Sequence, residues 1–319
     1  MLSNLNYSIN AVMPILLLVI LGIILKRIGF LDDAFTETAE KIVFKISLPV
    51  MLFLEVAGTS LDSLVNIRLI LFCVITVTAS FIIVTALSVL LIRDRKKRGS
   101  IIQGVCRSNF AILGVPIADN MFGSAGISTI ACVMPFVILM FNSYSVVALS
   151  LFTEDKSERM SKKKVLMILK NIVTNPLIIG VFLAVLCLLF SIELPAILNK
   201  SLNNLSNLTT PLALICLGAK FKPESLKGRV GYAVCGALGK TVILPAIMVA
   251  IAALFGFRDA ELGVVLILFG APSAVSSYIM AKRMKNDAEL SAQILLLSTI
   301  ICIFTIFIGI FTIKTLNLI

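Results

Sequence analysis

The sequence contains no histidine and no tryptophan, and only 14% of its 319 residues are charged. Without histidine, His-based metal sites and Ser–His or Cys–His catalysis are excluded. Soluble domains carry about 25% charged residues, so these few charges could not cover the surface of a soluble protein. Hydrophobic residues make up 59% of the chain and the mean hydropathy is +1.07. The composition therefore indicates an integral membrane protein.

The sequence also shows no motif that would support an enzymatic reaction. All seven cysteines lie in apolar segments without CxxC spacing, so we expect small buried hydrophobic side chains rather than disulfides or metal ligands. There is no glycine-rich phosphate loop, and no pair of aspartates within an apolar run. The sequence predicts no enzyme, no metal site and no bound cofactor, and leaves coupling to H⁺ or Na⁺ open.

Apolar runs of about 20 residues or more predict ten membrane-spanning helices, and hence an all-α membrane protein. We number them spans 1 to 10, and they cover residues 8–26, 38–57, 66–92, 100–121, 125–152, 165–190, 200–219, 228–256, 260–283 and 287–315.

The basic residues alternate from one side of these spans to the other. Of the 28 lysines and arginines, 22 fall on one side and four on the other, while Arg107 and Lys240 lie within spans. Lys and Arg accumulate in cytoplasmic loops. We therefore expect a multi-pass protein of the cell (cytoplasmic) membrane with both termini outside. The net charge of +11 then indicates cytoplasmic loops and no nucleic-acid partner.

An internal repeat divides the chain into two halves of five spans. Because five is odd, the second half must be inverted relative to the first, as in many secondary transporters. The predicted domains are a first repeat (1–152), a cytoplasmic loop (153–164) and a second, inverted repeat (165–319). The repeat depends on three proline pairs, offset by 162, 162 and 156 residues: Pro14 with Pro176, Pro49 with Pro211, and Pro116 with Pro272.

Glycine stands close before proline at Gly114–Pro116 and Gly270–Pro272, which predicts broken, crossing helices in spans 4 and 9. A break frees backbone groups that cost several kcal/mol each in lipid, so it persists where it lines a polar cavity. Each half-helix N-terminus carries about half a positive charge. Two of them meeting in mid-membrane would form a site for an anion.

Four stretches resemble the auxin efflux carrier family, which includes bacterial malate and malonate permeases: PILLLVILGIILKRIGFLDD, KIVFKISLPVMLF, SNFAILGVPIADNMFG and APSAVSSYIMAKRMKNDAELSAQILLLSTI. The resemblance implies a scaffold of spans 1, 2, 6 and 7 and a transport domain of spans 3–5 and 8–10. It also implies an elevator-type mechanism and a homodimer formed through the scaffold.

The predicted substrate-binding residues lie around the two breaks and on the facing scaffold. Asn109, which matches the family's crossover asparagine, either donates its amide to a carboxylate or caps freed backbone groups. Asn142 and Gln293 are polar at depth and are also candidates for the cavity wall. The full predicted set is Asn109, Gly114, Pro116, Asn120, Pro272, Ser273, Ser276, Ser277, Thr210 and Pro49.

Three charged residues are candidates for coupling or charge compensation. Asp119, expected in the first turn after the break, either carries a coupling ion or is a first-turn acid that faces water. Lys240 is too deep to reach the interface easily, and it either pairs with Asp119, neutralises half-helix C-termini or meets the substrate. Arg107 either extends to the interface or contacts the substrate from the cytoplasmic side.

Together these features predict a secondary active transporter of small organic anions, mono- or dicarboxylates such as malate or malonate. Its partners would be that anion and the lipid bilayer. One alternative is a cation/proton antiporter with Asp119 as the ion site. Another is a membrane receptor that binds a ligand without transporting it.

Overall fold

The computed structural model describes residues 2–58, 66–153, 174, 176–190, 192, 194–220 and 231–319, and every regular element in these ranges is a helix. The predicted all-α class is thereby confirmed. Residues 154–164 of the predicted loop 153–164 and the start of span 6 lie outside the described residues. The helices are α1 (Leu2–Arg27), α2 (Asp33–Ile42), α3 (Leu48–Ala57), α4 (Ile67–Leu91), α5 (Arg95–Cys106), α6 (Val115–Phe122), α7 (Ser124–Phe152), α8 (Pro176–Leu189), α9 (Ala196–Asn207), α10 (Thr209–Ala219), α11 (Gly231–Leu238), α12 (Leu244–Leu254), α13 (Asp259–Gly270), α14 (Val275–Arg283) and α15 (Ala288–Thr315).

Five of the described helical segments are long and apolar enough to cross a membrane, judged by length and composition. They match predicted spans 3, 4, 5, 8 and 10, and one of them runs through an interruption and a π-helical turn. Their bounds are Ile67–Leu91, Arg95–Phe122, Ser124–Phe152, Gly231–Leu254 and Ala288–Thr315.

Three single-turn π-helices share one sequence feature: the α-helix that follows each has proline as its second residue. Proline has no N–H and its ring clashes with the carbonyl four residues earlier, and the wider π turn accommodates both effects. The turns are Val43–Ser47, Phe110–Gly114 and Gly239–Ile243, followed by Pro49, Pro116 and Pro245.

The π turn before Pro116 corrects the expected position of the break in predicted span 4. The chain is helical through Gly114 and Pro116, and the interruption of predicted span 4 lies earlier, at residues 107–109 between α5 and the π turn. In predicted span 9 the interruption falls where the sequence indicated, at residues 271–274 between α13 and α14.

Glycine allows α1 and α10 to approach backbone to backbone. A Cβ atom added at Gly22 would lie 2.1 Å from the Ile215 carbonyl oxygen, and one added at Gly218 would lie 2.0 Å from that of Val19. Membrane helices commonly pack through such small residues because van der Waals contact replaces the hydrophobic effect between them. The same device joins α8 to α3, where Gly180 faces the Pro49 carbonyl.

Replacing Gly218 with alanine is therefore expected to destabilise the protein, although alanine favours helix by about 1 kcal/mol. The added methyl group would separate α1 from α10, and overpacking of this kind costs about 1–3 kcal/mol. Thermal unfolding in detergent measures the effect. Gly231→Ala is the matched control because no atom of the described residues lies within 4 Å of its added Cβ, and equal unfolding temperatures for the two variants would contradict the prediction.

Candidate functional site

The two interruptions contact each other directly. The backbone N–H of Asn109 donates to the carbonyl oxygen of Pro272 at 2.8 Å, and the Ser108 hydroxyl lies 3.5 Å from the carbonyl of Ala271. Freed backbone groups of one interruption are therefore satisfied by the other, as buried peptide groups require. This contact brings residues about 160 positions apart in the sequence into one site.

A cavity of about 390 Å³ opens beside this contact. Its walls come from the two interruptions, from α2 with the π turn that follows it, and from the middle of α7. The lining residues are Glu40, Lys41, Phe44, Lys45, Arg107, Ser108, Asn109, Ala111, Ile112, Ile138, Phe141, Asn142 and Ala274.

Arg107 brings a buried positive charge to the cavity, with 8% of the residue exposed. Its Nη2 donates to Asn142 Oδ1 at 2.8 Å, and its Nη1 lies 2.7 Å from Met280 Sδ. Both partners are neutral, and within the described residues no carboxylate pairs with this guanidinium. A buried charge without a counter-ion is costly, so the cavity is prepared to accept an anion.

Asn109 contributes an unused hydrogen-bond donor. Only 6% of the residue is exposed, and its Nδ2 has no partner within the described residues. The side chain makes no cap hydrogen bond to the π turn that it precedes, so capping does not occupy the amide. A buried amide nitrogen without a partner costs about 1–3 kcal/mol, which a bound acceptor would recover.

The N-terminus of α14 also reaches the cavity. Ala274 lines the wall and is the N-cap residue of this helix, with no side-chain cap hydrogen bond. The first N–H groups of a helix lack intrahelical acceptors and carry a partial positive charge. Together with Arg107 and the Asn109 amide, they make the inner wall of the cavity a donor surface for a carboxylate.

The facing wall on α2 and its π turn adds further positive charge. Lys41 and Lys45 line the cavity with Glu40 as the one acid among the lining residues. Glu40 is paired with Lys220, the C-cap residue of the neighbouring α10, and Lys41 lies 2.9 Å from Glu37. With three cations against one carboxylate that is itself paired, the lining is net positive.

A second cavity, of about 780 Å³, lies at the far end of α3, and its described lining contains no charged residue. It is formed by Leu54, Ala57, Gly58, Ser124, Ala125, Ser128, Ile192, Leu194, Asn199 and Asn203. Because the described part of this lining offers no charge to an anion, the smaller cavity at the interruptions is the better candidate for binding.

The other residues predicted around the breaks take packing or backbone positions. Gly114 is buried against Ile267 and Phe110, and Pro116 is buried in α6. Pro272 provides the carbonyl that accepts from Asn109. The hydroxyls of Ser273 and Ser277 are buried without a partner within the described residues, but neither residue lines the cavity. The side chain of Ser276 lies outside the described residues.

Asp119 and Asn120 lie away from the cavity, at the exposed end of α6. Asn120 donates to the Ala11 carbonyl at 3.1 Å, and Tyr7 donates to the Met121 carbonyl at 2.6 Å. These bonds tie α6 to α1. Asp119 is the fifth residue of α6 rather than a first-turn acid, because the helix begins at Val115 and the interruption lies farther upstream.

Lys240 does not pair with Asp119, which was one of the three roles that the sequence left open for it. Lys240 is fully buried, and its Nζ donates to the carbonyl of Phe269 at 3.0 Å. The physical reason is the position of the π turn Gly239–Ile243, which packs Lys240 against the end of α13 while Asp119 points to the surface. Lys240 therefore lies at a helix C-terminus, where a positive charge is stabilising.

The wall opposite the interruptions differs from the one expected. Thr210 and Pro49 do not line the cavity, and the Pro49 carbonyl packs against Gly180. The wall is built from α2 and its π turn instead. The spacing of Lys41 and Lys45, four residues apart on one helix face, was the signal available in the sequence. Asn142 lines the cavity as expected, whereas Gln293 does not.

Comparison with known proteins identifies a matching family and two relatives. The model of a family described as membrane transport protein matches residues 7–310, which include both interrupted helices. An uncharacterized transporter of Methanocaldococcus jannaschii is 26% identical over 300 residues, or 91% of this chain and 94% of that protein. An uncharacterized transporter of Methanothermobacter thermautotrophicus is 25% identical over 295 residues, or 92% and 94% of the two chains.

Proposed function

This chain belongs to the membrane transport protein family, that of the auxin efflux carriers, and we propose that it is a secondary active transporter of small organic anions. The observation that carries the proposal is the cavity in which the unpaired guanidinium of Arg107 and the unused amide of Asn109 meet. A mono- or dicarboxylate such as malate or malonate would supply the negative charge that Arg107 lacks and the acceptor that the Asn109 amide lacks among the described residues. The family is one of transporters, in keeping with the non-enzymatic function that the sequence predicts.

The proposed architecture has ten spans in two inverted repeats, and the helix ends support it. Equivalent helices of the two halves end 162 residues apart at Arg27 and Leu189, and again at Ala57 and Ala219. The two interruptions begin 164 residues apart, at residues 107 and 271. This register pairs Pro272 with Ser108 and replaces the 156-residue match of Pro272 with Pro116.

The proposed mechanism is elevator-type alternating access between two groups of helices. Helix packing supports the division: α1 packs on α10 and α3 on α8, whereas α5 packs on α7 and α11 on α15. The first set belongs to the proposed scaffold of spans 1, 2, 6 and 7, and the second to the proposed transport domain. The cavity lies between α2 of the scaffold and the interruptions of the transport domain.

We propose that the structure corresponds to the state open to the cytoplasm. The cavity opens beside Lys41 and Lys45, on the side that the distribution of basic residues assigns to the cytoplasm. At the other end, the hydrogen bonds of Tyr7 and Asn120 hold the transport domain against α1. Both termini then lie on the outer side of the cell membrane. The exposed scaffold faces are available for a homodimer.

The proposed function predicts uptake of radiolabelled malate by proteoliposomes, with accumulation when a pH gradient is imposed. Malonate, lactate and an aromatic acid serve as competitors, and their ranking measures the size of the pocket. Protein-free liposomes are the control for leakage. Accumulation in response to the gradient would establish coupled anion transport, with H⁺ as the proposed coupling ion.

A cation/proton antiporter would give a different result in the same vesicles. It would dissipate an imposed pH or Na⁺ gradient without any organic anion. The exposed position of Asp119, away from the cavity lining, argues against that alternative. A receptor would bind malate in detergent but would leave the vesicle lumen free of label.

A further inference from the structure

Lys240 is a buried cation that the proposed anion site does not use. It is 0% exposed, lies on the π turn Gly239–Ile243, and makes one hydrogen bond among the described residues, to the Phe269 carbonyl at 3.0 Å. No acid pairs with it in the described part of the chain. The π turn that carries it packs on α13, α5 and α15.

The Phe269 carbonyl is available because α13 ends at Gly270. In a continuous helix this carbonyl would accept from the N–H four residues later, that of Ser273. Here Ser273 N–H donates to Ser298 Oγ at 3.1 Å instead. The ammonium of Lys240 therefore replaces the missing donor at the last turn of α13.

The position of Lys240 at the end of α13 is also electrostatically favourable. A helix C-terminus carries about half a negative charge, and a cation there is stabilising. The π turn that carries Lys240 also packs on α5, and the Val105 side chain beside the last residue of α5 lies 3.6 Å from a Cβ added at Gly239, so this turn is near the C-terminal ends of both interrupted half-helices. In carriers with discontinuous helices, such C-terminal ends and unwound carbonyls are where a coupling cation such as Na⁺ is coordinated.

We propose that Lys240 is a resident cation that replaces a transported Na⁺ at the C-terminal ends of α5 and α13, so that anion transport by this protein is independent of sodium. The ammonium compensates the negative helix ends behind the interruptions while Arg107 and Asn109 hold the substrate in front. Lys240 is thus a positioning residue. This inference depends on the proposed transport function.

The test compares malate uptake in sodium and in choline media for the wild type, Lys240→Met and Lys240→Arg. We expect equal wild-type uptake in both media. Lys240→Met should lose about tenfold in choline, a coupling typical of linked sites, and should recover part of the loss in sodium. Lys240→Arg, which keeps the charge, should remain indifferent to sodium. Lys200→Met, at an exposed lysine of α9, is the matched control.

Thermal unfolding with increasing NaCl, against choline chloride at equal ionic strength, gives a readout independent of transport. A ligand that binds the folded state raises the unfolding temperature, so sodium should stabilise Lys240→Met and leave the wild type unchanged. Stimulation or stabilisation of the wild type by sodium would overturn the inference, as would a Lys240→Met variant indifferent to sodium. If Lys240→Met does not fold, the wild type and Lys240→Arg still test the inference, because sodium should change neither their uptake nor their unfolding temperature.

Failure of the proposed function would look different. Wild-type protein that takes up no malate, malonate or lactate would refute anion transport, while the unfolding series would still report whether the cation site exists. Sodium-dependent uptake by the wild type would support anion transport and refute the role of Lys240.

Discussion

Arg107→Gln is expected to weaken malate binding by about 100-fold, since removing one partner of a buried charge pair costs about 2–5 kcal/mol and about 1.4 kcal/mol corresponds to a factor of ten. Glutamine retains much of the length of the side chain and can still donate to Asn142, so the change removes the charge with little effect on packing. Titration calorimetry in detergent and inhibition of labelled uptake both measure the loss.

Protein stability separates a binding role of Arg107 from a structural one. The guanidinium has no counter-ion within the described residues, so its neutral replacement should leave the unfolding temperature unchanged or raised. Arg107→Lys should fall between the wild type and glutamine, because lysine keeps the charge but loses the planar fork of donors. Arg27→Gln, at an exposed arginine, is the control. Unaltered malate affinity in Arg107→Gln would exclude this residue from the site.

Asn109→Asp is expected to abolish measurable uptake, because a carboxylate of nearly the same shape would then face the carboxylate of the substrate. Asn109→Ala should lose about 10–100-fold, since a hydrogen bond to a charged group contributes about 1.5–3 kcal/mol. The backbone N–H of residue 109, which bonds to Pro272, is retained in both variants. The contact between the two interruptions should therefore survive.

The order of the two variants at residue 109 tests the role of the amide. If Asn109 served the backbone alone, aspartate and alanine would reduce uptake equally and would lower the unfolding temperature together. If the amide binds the anion, aspartate is worse than alanine for uptake while both proteins remain folded. Asn207→Asp, at an exposed asparagine of α9, controls for the added negative charge.

The predictions that are confirmed depend on features spread over many residues, namely long apolar runs and family motifs. Hydrophobic length sufficed to predict the helices Ile67–Leu91, Ser124–Phe152 and Ala288–Thr315. An apolar run of about 20 residues in a bilayer can pair its own backbone N–H and C=O groups only as a helix. The family resemblance is confirmed by a match over residues 7–310, because its motifs are distributed over the whole chain.

The exact position of the first interruption could not be read from the sequence. Gly114 and Pro116 suggested it, but a π turn absorbs the proline and the helix opens at Arg107–Asn109 instead. The choice depends on partners in the other half of the chain: Pro272 accepts from Asn109 and Ala271 from Ser108. No local propensity encodes a hydrogen bond between segments that are distant in sequence.

For the charged residues too, the sequence predicts the candidates and the tertiary structure decides what each one contacts. The sequence placed Arg107, Asp119 and Lys240 within predicted spans, and a charge within a span marks a candidate functional residue. Which of them faces a cavity depends on helix rotation and on what packs opposite. Folding turns Arg107 toward α2 and α7, Lys240 toward the end of α13, and Asp119 to the surface. Composition and hydrophobic length thus specify a membrane protein from the chain alone, whereas the candidate site forms only where two interrupted helices satisfy each other's backbone groups.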